Sequence, residues 1–394
     1  MPFRSPPGGW VWRPVTAIAL AQLALGTARP ALSYAAIDLG AGGFAIGLLV
    51  AISAVAPMLL AIPVGAMVGR FAHIAIVPAG SAIVLATGCV IAALAEDLVT
   101  LVIASALMGA GHLGLALGGQ GWVSRSAPPR MYNSGFGWIG AAAALGQTIG
   151  PMLAGLIIGA GDATREGIAA AFWLAGAIVL AIVVIFASPA VRSYTSEAIA
   201  QTKVRDIIRT PGVARYIFTS AIVLTAVDIL IAYMPLAGDR AGLSAAAIGF
   251  LLGVRGFTSM ISRVFLGMLS RRISSSALLL WSTAGSAAAL LVVALSSDLL
   301  VLFLAMVVGG FFLGFAQPLS ITVILAVLTP RARSRALGVR MLGNQVAQVI
   351  IPLVAGVLAL AAGPAVVFLA QAGGLIAASG WELAARRKPD TGDG

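Results

Sequence analysis

The 394-residue chain is 60% hydrophobic and only 9% charged, with 47 glycines and a formal net charge of +11. A soluble domain is about 45–50% apolar and about 25% charged, so this composition excludes a water-soluble globule and points to a chain whose outer faces meet lipid. The positive balance does not point to nucleic acid, because the basic residues sit in short loops between apolar runs rather than in one patch.

The first residues, MPFRSPPGGWVWRP, carry no small-residue cleavage pattern. The apolar run after them is longer than a signal-peptide core, so a retained helix is expected. A spanning helix needs about 20 mostly apolar residues. Twelve such spans are predicted, at 15–37, 44–66, 74–95, 98–123, 134–159, 168–188, 214–236, 244–268, 276–296, 299–327, 336–361 and 364–384. The predicted fold class is an all-α integral membrane protein, with twelve transmembrane helices in two pseudo-symmetric six-helix bundles. The bundles take residues 1–187 and 213–394, the second with a short tail, and a polar linker over 188–212 joins them.

Loop charges set the expected orientation. The first tail and every second loop hold 18 of the 24 Lys and Arg, among them Arg70, Arg192, Arg272 and Arg331. The alternate loops hold Asp38, Asp97, Asp162, Asp239 and Asp298 instead. Positive loops stay in the cytoplasm, so a multi-pass inner-membrane protein with both termini inside is expected. Trp10, Trp12, Trp122 and Trp381 read as interfacial belt residues near span ends. The single cysteine, Cys89, forms no intrachain disulfide and says nothing of redox compartment.

The halves repeat at an offset of about 200–202 residues. That shift aligns Gly47 with Gly249, Gly65 with Gly267, Arg70 with Arg272, Gly109 with Gly309, Gly114 with Gly314, Pro151 with Pro352 and Gly155 with Gly356. One match between glycine-rich chains means little; seven in order at nearly one offset indicate an internal repeat. Two parallel halves imply a site near the bilayer midplane between them, reached by alternating access.

Local motifs resemble those of the major facilitator superfamily across nearly the whole chain. Gly65-Ala66-Met67-Val68-Gly69-Arg70 is similar to the family's loop motif between helices 2 and 3, with Gly69 in place of the usual Asp. The second copy, Gly267 to Arg272, keeps the Gly and Arg and also lacks the Asp. Gly146-Gln147-Thr148-Ile149-Gly150-Pro151-Met152-Leu153-Ala154-Gly155 is similar to the family's antiporter motif, with Ala154 replacing the next-to-last Gly. That resemblance implies the proton-antiporter, exporting branch; its residues equally suit an ordinary Gly/Pro helix contact. Ser105 stands where the family's helix-4 Arg is found, so no proton relay through that position is expected.

Five charged residues fall inside predicted spans and away from the last three residues at either end: Arg29, Asp228, Arg255, Arg263 and Arg340. A central charge costs roughly 2.5–3.5 kcal/mol on the insertion scale, which makes each a candidate functional position. Helices 1 and 7 approach each other in the family, so Arg29 and Asp228 are expected to pair. The pair is either a permanent structural bridge or a switch broken when Asp228 takes a proton or Arg29 takes an anion. Arg255 is assigned to an anion site or to Asp228. Snorkelling to the headgroups is an alternative for Arg263 and Arg340. Arg340, Asn344 and Gln348 recur every four residues and share one helix face. Gln348 aligns with Gln147 by the repeat. With Gln317, Tyr34 and Tyr233 these complete the candidate substrate contacts, and Trp138 is a further cavity candidate. His112, within span 4, is a candidate proton carrier or a neutral hydrogen-bonded histidine.

The expected function is proton-coupled export of a small organic solute, anionic or drug-like; the alternative is import or facilitated movement of a small organic anion. No HExxH motif and no phosphate-binding Gly-Lys-Ser/Thr loop is found, so neither an enzyme nor an ATP-driven pump is expected. No cofactor and no metal are expected, the proton gradient supplies the energy, and a monomer in the bilayer is the expected state.

Overall fold

The computed structural model describes residues 12–70, 75–126, 132–159, 163–187, 212–326 and 333–387. The predicted linker, apart from Gly212, lies outside them. In chain order the helices are α1 (Trp12–Asp38), α2 (Gly43–Arg70), α3 (Ile76–Ala93), α4 (Leu98–Ser126), α5 (Tyr132–Ile158) and α6 (Arg165–Ala187). The second half continues with α7 (Val213–Arg240), α8 (Ala245–Leu269), α9 (Ser275–Leu295), α10 (Leu299–Ala326), α11 (Arg333–Ala362) and α12 (Pro364–Arg387). Each is long and apolar enough to cross a bilayer. Helices answer the central problem of a spanning chain, since every backbone N–H and C=O must be satisfied within the segment.

The ends agree with the sequence reading to within four residues. α2 and α7 each run four residues further than predicted, to Arg70 and Arg240. Pro235 lies within α7 without ending it. The stop comes at Gly242, whose φ of +70° is costly for any residue with a Cβ. Short polar caps start several helices. The backbone N–H of Thr100 donates to Asp97 Oδ1 at 2.8 Å, and its hydroxyl donates to Oδ2 at 3.1 Å. Those bonds, the backbone one first, hold the exposed Asp97 carboxyl below the usual carboxylate range. Ser244 and Ser274 cap α8 and α9 in the same manner.

Packing reproduces the repeat. In the first half α1 lies on α5 and α6, α3 on α4 and α6, and α2 on α4. In the second, α7 lies on α11 and α12, α9 on α10 and α12, and α8 on α10. Two further contacts, α2 with α11 and α5 with α8, cross between the halves and exchange under the same symmetry. At the first crossing, a Cβ added to Gly47 would sit against the Pro352 carbonyl and 2.8 Å from the Cα of Gly356. At the second, a Cβ added to Gly249 would sit against the Pro151 carbonyl and 2.8 Å from the Cα of Gly155. Backbones this close require small residues on both helices.

One alignment needs a one-residue correction. Gly109 of α4 approaches the backbone of Ser53 on α2, and the residue of α10 that approaches Arg255 on α8 is Gly310, not Gly309. Gly114 abuts Ser81 of α3, whereas Gly314 abuts Ser259 and Ser262 of α8. A glycine-rich stretch tolerates a slip of one in alignment, but one residue is about 100° around a helix, which changes the neighbour. Trp122 also departs from its belt reading: it is fully buried, with its ring 5.3 Å from that of Phe186. Trp12 and Trp381 are half-exposed, as interfacial residues are, and Trp10 lies outside the described residues.

Glu382 on α12 is a buried acid that the sequence reading passed over. Its Oε2 lies 2.9 Å from Arg215 Nε of α7, and its Oε1 accepts from Ser276 of α9. Arg386, one turn on, donates to the Ser276 hydroxyl at 2.7 Å and sits 3.7 Å from the carboxylate. Three helices of the second half are tied at the end whose loop carries Arg271 and Arg272. That end is the basic-loop end; the end carrying Asp38, Asp97, Asp239 and Asp298 is the acidic-loop end.

Candidate functional site: a cavity between the halves

α1, α2, α4, α7 and α11 enclose a cavity of about 440 Å³, a size suited to a small organic molecule. Along α11, the cavity residues Arg340, Asn344 and Gln348 precede the crossing residues Pro352 and Gly356. The cavity therefore lies on the basic-loop side of the junction between the halves.

One wall is polar. Arg29 Nη1 donates to Asp228 Oδ1 at 3.3 Å, joining α1 to α7 across the halves, as expected. The other carboxylate oxygen accepts from Gln348 Nε2 of α11 at 2.7 Å. Asp228 is thus held by one group from each half. Its side chain is 8% exposed, while that of Arg29 is 36% exposed, so the cation faces the cavity more than its partner does. Further along α11, Arg340 Nη1 donates to the Ser220 hydroxyl at 2.8 Å and reaches Gln317 Oε1 at 3.5 Å. Arg340 is buried at the cavity rather than snorkelling from it, and its Nε has no partner. Asn344, one turn on, is buried with its Oδ1 unpartnered. His112 of α4 lines the same space, its Nε2 3.4 Å from the side-chain amide of Gln22 on α1.

The opposite wall is apolar, built of Ile46, Leu49, Ala54 and Pro57 from α2 with Met108 and Leu113 from α4. Its serines are engaged: Ser105 donates to the Leu49 carbonyl at 2.6 Å and Ser53 to the Val50 carbonyl at 2.7 Å. The charged groups among the described lining residues are Arg29, Arg340 and Asp228, a balance of one net positive charge. The four-residue stripe on α11 is a cavity face throughout. Gln22 and Ser220 were missed, although each lies two turns from a charged residue, Arg29 and Asp228, on the same helix face.

Other candidates lie elsewhere. Tyr233 is fully buried and its hydroxyl donates to the Gly43 carbonyl of α2 at 3.0 Å, a link between halves near the acidic-loop end. Tyr34 is buried outside the cavity lining. Arg255 points into the second half instead, lining a separate space of about 10 Å³ with Leu230, Ser286 and Met306. Gln147 sits at the α5–α8 crossing, where its backbone carbonyl approaches Gly256. Gln317 steadies Arg340 from behind the wall. Trp138 is half-exposed and pairs with Trp12 at 5.8 Å. Arg263 is exposed.

The helix-5 motif divides its contacts. Gly146 and Gly150 face α1, where an added Cβ at Gly150 would lie 2.6 Å from the Cα of Gly26, and the Pro151 ring lies on Gly26 too; the Pro151 carbonyl and Gly155 face α8. Gly65 and Arg70 fall in the last turns of α2, the Arg70 side chain outside the described set. Gly267 faces open space and Arg272 lies in an exposed turn.

The family model of the Major Facilitator Superfamily matches residues 15–277 and 216–393. No curated protein sequence matches the chain significantly. Among solved structures, a bacterial homologue of the human lysosomal transporter Spinster, inward-facing and unoccupied, superposes with a TM-score of 0.78 at 14% identity, covering 97% of this chain and 98% of its own. The nucleoside transporter NupG gives 0.76 at 14% identity, covering 96% and 99%. A POT family transporter in complex with 5-aminolevulinic acid gives 0.76 at 13% identity, covering 97% and 96%. At such identities the likeness is one of fold.

Proposed function

The chain belongs to the major facilitator superfamily, and from that premise we propose that it is a proton-coupled secondary transporter of a small amphipathic organic anion. The observation that carries this reading is the makeup of the cavity: two arginines against one aspartate on a polar wall, facing an apolar wall. An anion completes the charge balance, and its apolar part lies against α2 and α4. Asp228 is the coupling group in this reading, because its bond to Arg29 spans the halves and the carboxylate is the one acid among the described cavity residues. Export is the preferred direction, on the resemblance of the Gly146–Gly155 stretch to the antiporter motif. Import of the same anion is the second reading. The test is flux in proteoliposomes under an imposed pH gradient, with a panel of aromatic and aliphatic carboxylic acids. Movement of an acid driven by the gradient and abolished by an uncoupler is expected; indifference of every acid to the gradient overturns the coupling.

Orientation belongs to the same proposal. The basic loops lie in the cytoplasm, so the junction closes the outer side and the cavity stands nearer the cytoplasm. In a background without Cys89, Asp38→Cys is expected to react with an impermeant maleimide from outside intact cells, and Arg272→Cys only after permeabilisation. The reverse pattern refutes the orientation.

A further inference from the structure

The two cavity arginines stand at opposite ends of the polar wall. The Arg340–Ser220 and Gln348–Asp228 bonds each join residues 120 apart, so they are parallel rungs between α7 and α11. Eight residues of helix separate the rungs, a rise of about 12 Å. Arg29 meets the wall at the Asp228 rung and Arg340 at the Ser220 rung. Each arginine keeps donors in hand. Arg29 turns Nη1 to Asp228, and its side chain is 36% exposed, with Nε and Nη2 free of hydrogen bonds. In Arg340, Nη1 is engaged and Nε is sealed within the protein, whereas Nη2 is neither bonded nor sealed. Asn344, on the same face, divides likewise: its Oδ1 is sealed and its Nδ2 is open and unbonded. The open groups of Arg340 and Asn344 are therefore donors, which suits the oxygens of a carboxylate.

Charge points the same way. Arg255, on α8, interacts electrostatically with Asp228 and has no described carboxylate within ion-pair distance; the same is true of Arg340. Arg29, Arg255 and Arg340 thus stand against Asp228 alone, an excess of two positive charges. Buried charge without a counter-charge is costly, so a ligand with two negative charges fits this surplus. We propose that Arg29 and Arg340, the latter with Asn344, form two separate carboxylate stations, and that the transported solute is a dicarboxylate with an apolar middle. The inference rests on the organic-anion reading of the cavity and deepens it. The rungs lie about 12 Å apart and each carboxylate contact takes up about 3 Å, which sets the chain at about six to ten carbons. Its methylenes lie along the apolar wall of Leu49, Pro57 and Met108.

Calorimetric binding to the purified full chain in nanodiscs, with empty nanodiscs as the blank, tests the assignment. The probes are suberate, its monomethyl ester and its dimethyl ester, which share one chain and differ in charge, together with the shorter succinate. Suberate is expected to bind at least about tenfold more tightly than the monomethyl ester, the worth of one charge-assisted hydrogen bond, and the dimethyl ester most weakly. Succinate is expected to bind no more tightly than the monomethyl ester, because it cannot reach both stations. Arg340→Gln is expected to erase the preference for suberate over the monomethyl ester; an undiminished preference removes Arg340 as a station. The wild-type ranking needs no variant, so it decides the question even where the variant fails to fold. Equal binding of suberate and its monomethyl ester, both ahead of the dimethyl ester, overturns the second station while leaving the anion reading intact. Succinate that matches suberate overturns the separation of the stations. A dimethyl ester that binds as tightly as suberate overturns both the stations and the anion reading. No saturable binding of suberate overturns the dicarboxylate class.

Discussion

Asp228→Asn is expected to abolish proton-driven accumulation of substrate while leaving substrate–substrate exchange measurable. The substitution keeps the shape of the side chain, and an amide oxygen still accepts from Gln348, 2.7 Å away in the wild type. The charge that answers Arg29 across the halves is lost, as is the one carboxylate among the described cavity residues able to exchange a proton. Opening of the acidic-loop end separates α1 from α7. It must break the Arg29–Asp228 bond together with the Tyr233–Gly43 bond and the bond from Ala246 N–H to the Gly159 carbonyl. Protonation of Asp228 weakens the first of these, which is how a proton biases the conformational equilibrium in this reading. A ligand shifts a two-state equilibrium only by its differential affinity for the two states, so the coupling reading requires that the proton bind differently in the two. Concentrative flux in proteoliposomes is expected to fall at least about a hundredfold, since about 3 kcal/mol of coupling is a factor of that size. Counterflow with equal pH on both sides is expected to persist. A variant that still concentrates substrate against its gradient at the normal rate removes Asp228 from coupling, and His112, which faces the same cavity, becomes the next group to test.

Much of this arrangement was legible in the sequence, and the reasons are physical. Twelve apolar runs stand out because lipid tolerates few charges. For the same reason Arg29, Asp228 and Arg340 announced themselves, and the four-residue recurrence put Arg340, Asn344 and Gln348 on one face of α11. What did not carry over is direction within the membrane. In a soluble helix the polar face marks water, but in this bundle a side chain is buried equally well in the cavity wall, between helices of one half, or between halves. Arg255, Tyr34 and Tyr233 read as cavity residues and lie elsewhere, because nothing in their spacing separates these fates. Glu382 was missed because it lies near a span end, where a solvated charge is the ordinary expectation. Its buried pairing with Arg215 depends on α7, some 170 residues earlier in the chain (382 − 215 = 167).

The helix-5 motif shows the same ambiguity at single-residue resolution, and it yields a paired prediction. Gly150→Leu and Gly249→Leu are expected to fail in different ways, although both put a bulky side chain at a close helix crossing. Gly150 packs on Gly26 and Leu23, inside the first half. A leucine there forces α5 off α1, within the core that holds that bundle together. Overpacking of this kind costs about 1–3 kcal/mol or more, so a lower melting temperature and poor yield are expected. Gly249 faces Pro151 and Gly155 across the halves. A leucine there leaves the internal packing of both bundles in place and holds α8 away from α5 at the acidic-loop end. The protein is expected to purify with near-normal thermal stability and to lose transport, because the junction no longer closes. Ser33, a cavity residue on α1, gives an independent readout. In a background without Cys89, Ser33→Cys is expected to react faster from the acidic-loop side once Gly249→Leu is added. Gly47→Leu, at the symmetry-related crossing of α2 and α11, is expected to behave as Gly249→Leu does. Normal transport by Gly249→Leu, with no gain in labelling at position 33, refutes the claim that this crossing is the closing contact between the halves.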